Sequence, residues 1–255
     1  MQSFSRIAAA VMALSMTVVA PQSVRAQALP PASDIIAKYV TAIGGKAEVM
    51  KVTSLKQIAT MEVPAIGLSA SMEMFAAAPN KMAMKTNIPG MGEMQNGFNG
   101  TVGWDVNPMQ GPRLLADKEL ANMTENADFY GNMLYPADRF STMETVSDTT
   151  IAGEKAYKIR MVREATKAES FAYFSATSGL MVGGISTTES PMGSMTSSQV
   201  VSEYKKFGNL MMPTKIEQTM GPQKIVITVK DVIINGATDA AFAVPEQVKP
   251  LIKPN

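Results

Sequence analysis

Polar and apolar residues alternate along most of this chain, and this pattern constrains the fold more than any other feature of the sequence. Successive side chains of a β-strand point to opposite faces, so each alternating segment predicts a strand with one apolar face. Short turns rich in Gly, Asn and Pro join nearly every pair of segments, which favours an antiparallel meander. The predicted strands lie within 55–63, 66–74, 82–84, 101–106, 157–161, 170–174, 180–188, 199–207, 214–220 and 224–234.

Two segments have the 3.6-residue period of an amphipathic helix instead. The first has Ser33 as its predicted N-cap and ends at Gly44-Gly45, and its apolar stripe is Ile35, Ile36, Tyr39, Val40 and Ile43. The second is predicted over 117–130, with a stop at Gly131-Asn132, and its stripe includes Leu120, Met123 and Ala127. A sheet of this length tends to curl, and its concave apolar face then needs a cover. We therefore predict a mainly β (α+β) fold: a strongly curved antiparallel sheet or incomplete β-barrel with helices covering its concave apolar face.

The N-terminus has the three regions of a secretory signal peptide: Arg6, an apolar run over 7–20 and a stretch of small residues ending at Ala28. We predict that 1–26 is the signal peptide and that 27–255 is a single domain in the periplasm. No later stretch approaches the ~20 apolar residues that a membrane-spanning helix needs, so the mature protein is predicted to be soluble. Loose segments are predicted at 29–32, 186–198 and 245–255.

The charge and composition exclude several classes of function. Loss of the leader removes two arginines and no acid, so the formal charge of +1 falls by two to −1, which does not favour nucleic acid as a partner. The chain has no His and no Cys, which removes the usual general base, the thiol nucleophile and the common zinc ligands. Ser202 and Lys205 match the S-x-x-K signature of penicillin-recognising enzymes, but that motif needs a helix and its neighbours predict a strand. We predict no catalytic residue, no enzyme and no cofactor.

The only tryptophan, Trp104, lies at the centre of the stretch 97–111. It is predicted to share one face of a strand over 101–106 with Val102 and Val106, and turn signals bound that strand on both sides. Two interpretations stay open. Trp104 is either a large core side chain, as aromatic residues usually are, or part of the wall of a ligand cavity.

Five local patterns follow one another along most of the predicted mature chain: DIIAKYVTAIGGKAEVMK (34–51), FAAAPNKMAMK (75–85), GFNGTVGWDVNP (97–108), AYFSATSGLMV (172–182) and EYKKFGNLMMPTKIEQ (203–218). Together they resemble the periplasmic lipoprotein-carrier family (LolA/LolB-like) and its outer-membrane lipoprotein-sorting relatives. The resemblance implies a half-barrel with helices as a lid over a hydrophobic cavity. It also implies that the ligand is a lipid acyl chain or an acylated protein, with an outer-membrane acceptor as a further candidate partner.

Methionine is unusually frequent: the chain has 22, of which three lie in the predicted leader, leaving 19 in the mature protein. Because methionine is unbranched and polarisable, a surface lined with it can adapt to apolar ligands of varied shape. We predict that the ligand contacts Leu68, Met72, Met74, Met82, Met84, Phe98, Trp104, Leu120 and Met123. The helix over 117–130 is the predicted lid, and the loop 109–112 is its predicted hinge.

Methionine thioethers also bind Cu(I), so a Met-rich periplasmic Cu(I)-binding protein is the alternative function. Its candidate ligands are the pairs Met72 and Met74, Met82 and Met84, Met91 and Met94, and Met192 and Met195. Under the carrier interpretation no residue is assigned to a metal.

Overall fold

The alternating segments form one antiparallel sheet of 13 strands. A computed structural model describes residues 28–190 and 193–252, and the predicted signal peptide at 1–26 lies outside them. The strands are β1 (Ser54–Val63), β2 (Leu68–Ala77), β3 (Lys81–Ile88), β4 (Gly92–Phe98), β5 (Gly103–Asn107), β6 (Gly111–Leu114), β7 (Phe140–Ile151), β8 (Glu154–Arg163), β9 (Glu169–Ser175), β10 (Met181–Ser190), β11 (Gly193–Phe207), β12 (Leu210–Met220) and β13 (Gln223–Ile234). The helices are α1 (Ala32–Ala42), α2 (Lys46–Val49), α3 (Asp117–Asn126) and α4 (Phe129–Leu134).

The sheet is a meander that is folded back on itself at its centre. Its strand order is β6-β5-β4-β3-β2-β1-β13-β12-β11-β10-β9-β8-β7, so β1 and β13 pair in the middle. The sheet is not closed, and β6 and β7 are its two edges.

One face of the sheet, which we call the inner face, packs against the helices. Ala59 lies opposite Met72 on β2 and Val229 on β13, and all three are buried in one cluster with residues of α4. Met84 of β3 and Met212 of β12 pack against that same cluster, although three strands separate β3 from β12. Strands so far apart meet at one cluster only if the sheet curves around it. The predicted fold, a curved and incomplete barrel with helices on its concave apolar face, is confirmed.

The two ends of the sheet differ. At the closed end, helical segments bond to the sheet. The N–H of Met211 donates to the carbonyl oxygen of Ile43, which follows α1. The N–H of Phe129 donates to the carbonyl oxygen of Pro79 in the β2–β3 turn. Neighbouring strands are antiparallel, so alternate turns lie at opposite ends of the sheet. The turns that join β1–β2, β3–β4, β5–β6, β10–β11 and β12–β13 therefore lie at the other end, which we call the open end, whereas the β8–β9 turn lies beside α4.

The first predicted helix is α1, with a corrected N-terminus. Pro31, not Ser33, occupies the N-cap position. Ile35 and Ile36 are buried in a cluster with Ile159 and Phe174 of the sheet, and burying such side chains stabilises the fold by about 1.5–3 kcal/mol each. The helix ends as predicted before Gly44-Gly45, and both glycines have positive φ.

The second predicted helix is in fact two helices, α3 and α4. The chain leaves α3 at Asn126, and Asp128 begins α4 because its carboxylate accepts a hydrogen bond from the Gly131 N–H (3.1 Å). The predicted stop at Gly131-Asn132 is therefore wrong. Gly131 lies inside α4, where the Asp128 carboxylate occupies the space that a Cβ would need.

The segment 186–198 was predicted as a loop, and this prediction is wrong. It belongs to the long β10–β11 hairpin, of which residues 191 and 192 lie outside the described part of the chain. The hydroxyls of Thr187 and Thr196 are hydrogen-bonded across the two strands (2.9 Å), as are those of Ser186 and Ser197 (3.3 Å). Polar residues on both faces hide the alternation that reveals the other strands. The strands β4, β6 and β7 were not predicted either.

The C-terminal segment packs against the opposite face of the sheet, which we call the outer face. Phe242 is 3% exposed and packs with Phe75 and Ala83, and Val248 is 0% exposed and packs with Trp104. The prediction of a loose segment from residue 245 is therefore wrong at Val248. The prediction is also wrong at the N-terminal end of the described chain, where Ala32 is buried in α1.

Candidate functional site

The inner face of β2, β3 and β4 brings together six of the nine predicted ligand contacts. The register places Met74 opposite Met84, and Met82 opposite Phe98. Residues at even positions of these strands share the inner face, and the six are Leu68, Met72, Met74, Met82, Met84 and Phe98.

Much of this inner face is apolar but incompletely covered. Met72 and Phe98 are buried, whereas Leu68, Met74, Met82 and Met84 are only half-buried. The register adds five half-buried residues to the same face that sequence reasoning did not select: Met61, Met94, Ile216, Ile225 and Ile227. The alternation of Met61, Ile216, Ile225 and Ile227 was visible in the sequence, but the pairing of β1 with β13 was not. Met94 lies on β4, a strand that was not predicted.

The inner face of β1–β4, β12 and β13 carries no charged side chain, and all six strands lie within the described residues. Its polar members are neutral: Gln57, Thr86, Asn96, Thr214, Gln218 and Gln223. An apolar group can therefore occupy this face without removing water from an ion, which is the costly part of burying polar surface.

The helix α3 covers the edge of this face, yet none of its residues is buried. Leu120 lies over Gly103. A Cβ added to Gly103 would be only 2.9 Å from the Cδ1 atom of Leu120. Gly103 pairs with Phe98, so this contact is on the inner face. Met123 is half-buried, and grooves of about 570 Å³ and 470 Å³ flank the helix on its two sides. Regions with few buried apolar contacts are the ones that open most readily.

Polar contacts fix α3 at its two ends. At the N-terminal end, Arg113 Nη1 and Nη2 donate to the Glu119 carboxylate (2.7 and 3.1 Å), and Arg113 Nε donates to Asp105 (3.1 Å). These carboxylates raise the pKa of the Arg113 guanidinium, the hydrogen bonds to Glu119 contributing most. At the C-terminal end, Asn132 Nδ2 donates to the carbonyl oxygens of Glu125 (3.0 Å) and Asn126 (2.9 Å).

The predicted hinge at 109–112 is wrong. Gly111 and Pro112 belong to β6, which pairs with β5, so this segment is a hairpin turn at the open end. The chain enters α3 through Leu115 and Ala116 instead. Leu115 is buried and its N–H donates to the carbonyl oxygen of Gly103 (2.9 Å).

Trp104 lies on the outer face, away from the predicted cavity. It packs with Val106 and Val248 beneath the C-terminal segment, and it is 2% exposed. Gly97 lies opposite it, and a Cβ there would come within 2.5 Å of the indole ring. The structure corrects the placement of Trp104 among the ligand contacts and favours the core interpretation.

An aromatic cluster fills the closed end. The ring of Tyr39 makes edge contacts with those of Tyr135 and Phe174. Tyr204 Oη donates to the Met181 carbonyl oxygen (2.9 Å). Burial raises the pKa of Tyr39, Tyr135 and Tyr204, so all three stay neutral at physiological pH.

Ser202 and Lys205 lie on a strand, β11, as their neighbours predict. Ser202 is opposite Lys215, whose ammonium is 3.0 Å from the Glu217 carboxylate. Their strand setting lacks the helix that the S-x-x-K mechanism requires.

No protein-family model matches the sequence, and no curated protein matches it. Solved structures do share the fold. A LolA superfamily protein from Nitrosomonas europaea is 11% identical over 85% of this chain and 99% of its own, with a TM-score of 0.56. A DUF1329 family protein from Desulfovibrio piger is 10% identical over 84% of this chain and 98% of its own, with a TM-score of 0.57. An outer membrane lipoprotein-sorting protein domain from Vibrio parahaemolyticus is 9% identical over 82% of this chain and 94% of its own, with a TM-score of 0.53. This chain therefore has the fold of LolA superfamily proteins and of the lipoprotein-sorting domain, the fold that its sequence resemblance predicts.

Proposed function

We propose that this protein is an exported, non-catalytic carrier that holds an apolar ligand, a lipid acyl chain, against its inner face in the periplasm. The observation that carries the proposal is the uncharged, methionine-rich inner face of β1–β4, β12 and β13, where many side chains stay half-buried and the helix at the edge, α3, has no buried residue. In a protein that binds no ligand at this face, the hydrophobic effect would favour complete burial of these apolar side chains.

The size of the hydrophobic term sets the strength of binding. Burying a chain of ~15 methylenes at ~0.8 kcal/mol each yields on the order of 10 kcal/mol. The loss of translational and rotational freedom opposes association by ~4–15 kcal/mol. We therefore expect moderate and exchangeable binding, which suits a carrier that must release its ligand.

The structural neighbours support an envelope role. One of them is an outer membrane lipoprotein-sorting protein domain, and another is a LolA superfamily protein. We extend this role to the present chain as part of the proposal, with 1–26 as its cleaved signal peptide and an outer-membrane acceptor as a candidate partner. No helix within 28–190 or 193–252 is long and apolar enough to cross a membrane.

The test introduces a charge into the inner face. We expect Met74→Glu to abolish binding of a fluorescent fatty acid, because the ligand would then have to remove water from a carboxylate. Ser71→Glu places the same charge on the exposed outer face of β2 and should bind like the wild type. Met74→Leu, which keeps volume and apolarity, should also bind. Undiminished binding by folded Met74→Glu would refute the proposal.

Binding of Cu(I) is the second candidate function, and one arrangement favours it. Met74 and Met84 lie directly opposite each other on adjacent strands, and Met72 is the next inner-face residue of β2. Soft thioethers at such spacing suit Cu(I). Met91, by contrast, lies exposed at a turn of the open end, and Met192 lies outside the described residues.

A further inference from the structure

Three neighbouring turns at the open end each expose one large apolar side chain. They are Ile66 in the β1–β2 turn, Met91 in the β3–β4 turn and Met109 in the β5–β6 turn, which are 70%, 48% and 79% exposed. We call these three residues the apolar tips. Isolated exposed apolar residues are common on protein surfaces, but three on successive turns of one rim form a pattern.

The three turns share one sequence pattern, Pro-x-x-Gly, at 64–67, 89–92 and 108–111. Proline fixes its own φ, and the glycine in each turn takes a positive φ, between 63° and 97°. Proline therefore limits the backbone of each turn, and glycine allows the positive φ that the turn needs. None of the three turns contains a charged residue, so each presents an apolar side chain on a short, uncharged loop.

The tips lie in a row along one rim because their strands are neighbours in the order β1-β2-β3-β4-β5-β6. The register continues from Ser71 opposite Asn87 toward the open end, which brings the first two turns to the same level. Pro108 Cγ lies 3.5 Å from the position of a Cβ on Gly92, so the second and third turns touch. Met195, 40% exposed near the β10–β11 tip, lies on the same rim.

We propose that the apolar tips insert into the surface of a lipid bilayer and dock the open end of the half-barrel against it. A protein partner would be expected to bury a contiguous patch of ~800 Å² on each side, whereas the tips are single side chains on separate turns. Such side chains fit the boundary between headgroups and acyl chains, where apolar groups are buried one at a time.

The charges beside the tips specify the kind of bilayer. The exposed charged residues next to the first two turns are acidic, Glu62 and Glu93. Lys224, beside the β12–β13 turn, is paired with Glu217. Anionic lipid would therefore attract this rim weakly, and insertion should depend on apolar contact with lipids of no net charge.

Docking at this rim would place the inner face next to the membrane. Val63 and Leu68, which flank the first tip, belong to the inner face, so apolar surface continues from the tips into the half-barrel. Such docking goes beyond the proposed function because it requires no ligand on the inner face, and ligand-free protein with plain vesicles tests it separately.

The test is flotation of the protein with phosphatidylcholine vesicles. The protein is expressed from residues 1–255 in a host that exports it, and mass spectrometry checks that the wild type and every variant have the same processed N-terminus. We expect the wild type to float with the vesicles, and a triple variant, Ile66→Asp, Met91→Asp and Met109→Asp, to lose about tenfold or more in affinity. Added salt should leave wild-type binding unchanged, since screening weakens only electrostatic attraction.

The matched control places the same three charges at exposed apolar residues away from the open end: Ile58→Asp, Val146→Asp and Ile233→Asp. This variant should float like the wild type, and melting curves check that both triple variants are folded. In a second measurement, the tryptophan introduced by Met91→Trp should be quenched by brominated lipid, whereas that of Ile233→Trp should not. Equal flotation of the two triple variants would overturn the proposal, as would a wild type that ignores vesicles and uses its tips to form a dimer in sedimentation.

Discussion

The closed and open ends of this half-barrel are made by the same strands but differ in how far their apolar side chains are buried. At the closed end, α1, α2 and α4 bury apolar residues against the sheet, and aromatic rings fill the remaining space. At the open end the apolar tips are exposed, and the inner face beside them is half-buried. Stability is thus concentrated at one end, which leaves the other free to bind.

The largest expected difference between the ends is in stability. Phe129→Ala removes a buried ring from the closed-end cluster and should lower the free energy of unfolding by about 3–5 kcal/mol. Ile66→Ala at the open end should change it by less than ~0.5 kcal/mol, because that side chain is 70% exposed. Urea denaturation measures both, and similar losses for the two variants would contradict the division into two ends.

A smaller effect is expected where α3 joins the sheet. Arg113→Ala removes the fork to Glu119 and Asp105, so amide hydrogen exchange over 117–126 should accelerate while β13 stays protected. Global stability should fall by less than ~1 kcal/mol, since the guanidinium is 40% exposed. The control is Lys155→Ala, which removes the surface ion pair to Asp148, two residues that line neither groove beside α3. Equal exchange over α3 in the two variants would show that the fork does not hold the helix.

The smallest effect should follow from changing sulfur to carbon in the inner face. Replacing Met72, Met74, Met82 and Met84 together by Leu roughly conserves volume and apolarity, so binding of a fluorescent fatty acid should change little. Any Cu(I) binding should vanish with the thioethers. A wild type that binds Cu(I) tightly under anaerobic conditions and takes up no fatty acid would make copper the function.

The alternation predicted most of the sheet and the face shared by six of the predicted ligand contacts, because a period of two is a local property. It could not place Trp104. Its strand has apolar residues on one face, but which face is inner depends on the C-terminal segment, about 140 residues away, where Val248 covers the indole ring. The split between α3 and α4 was missed because one side-chain hydrogen bond, from the Gly131 N–H to Asp128, overrides a continuous helical stripe. The row of apolar tips depends on strand order, so no single motif predicts it.

The two free edges determine how this protein behaves among its own copies. An open sheet invites further strands to pair with its unpaired backbone groups. Here β6 is four residues long and contains Pro112, which has no N–H to donate. The longer edge, β7, is interrupted by two irregularities in register, near Ser141 and Val146, which twist it away from a straight template. The sheet can therefore stay open between β6 and β7 without these edge strands acting as a template for fibrous assembly.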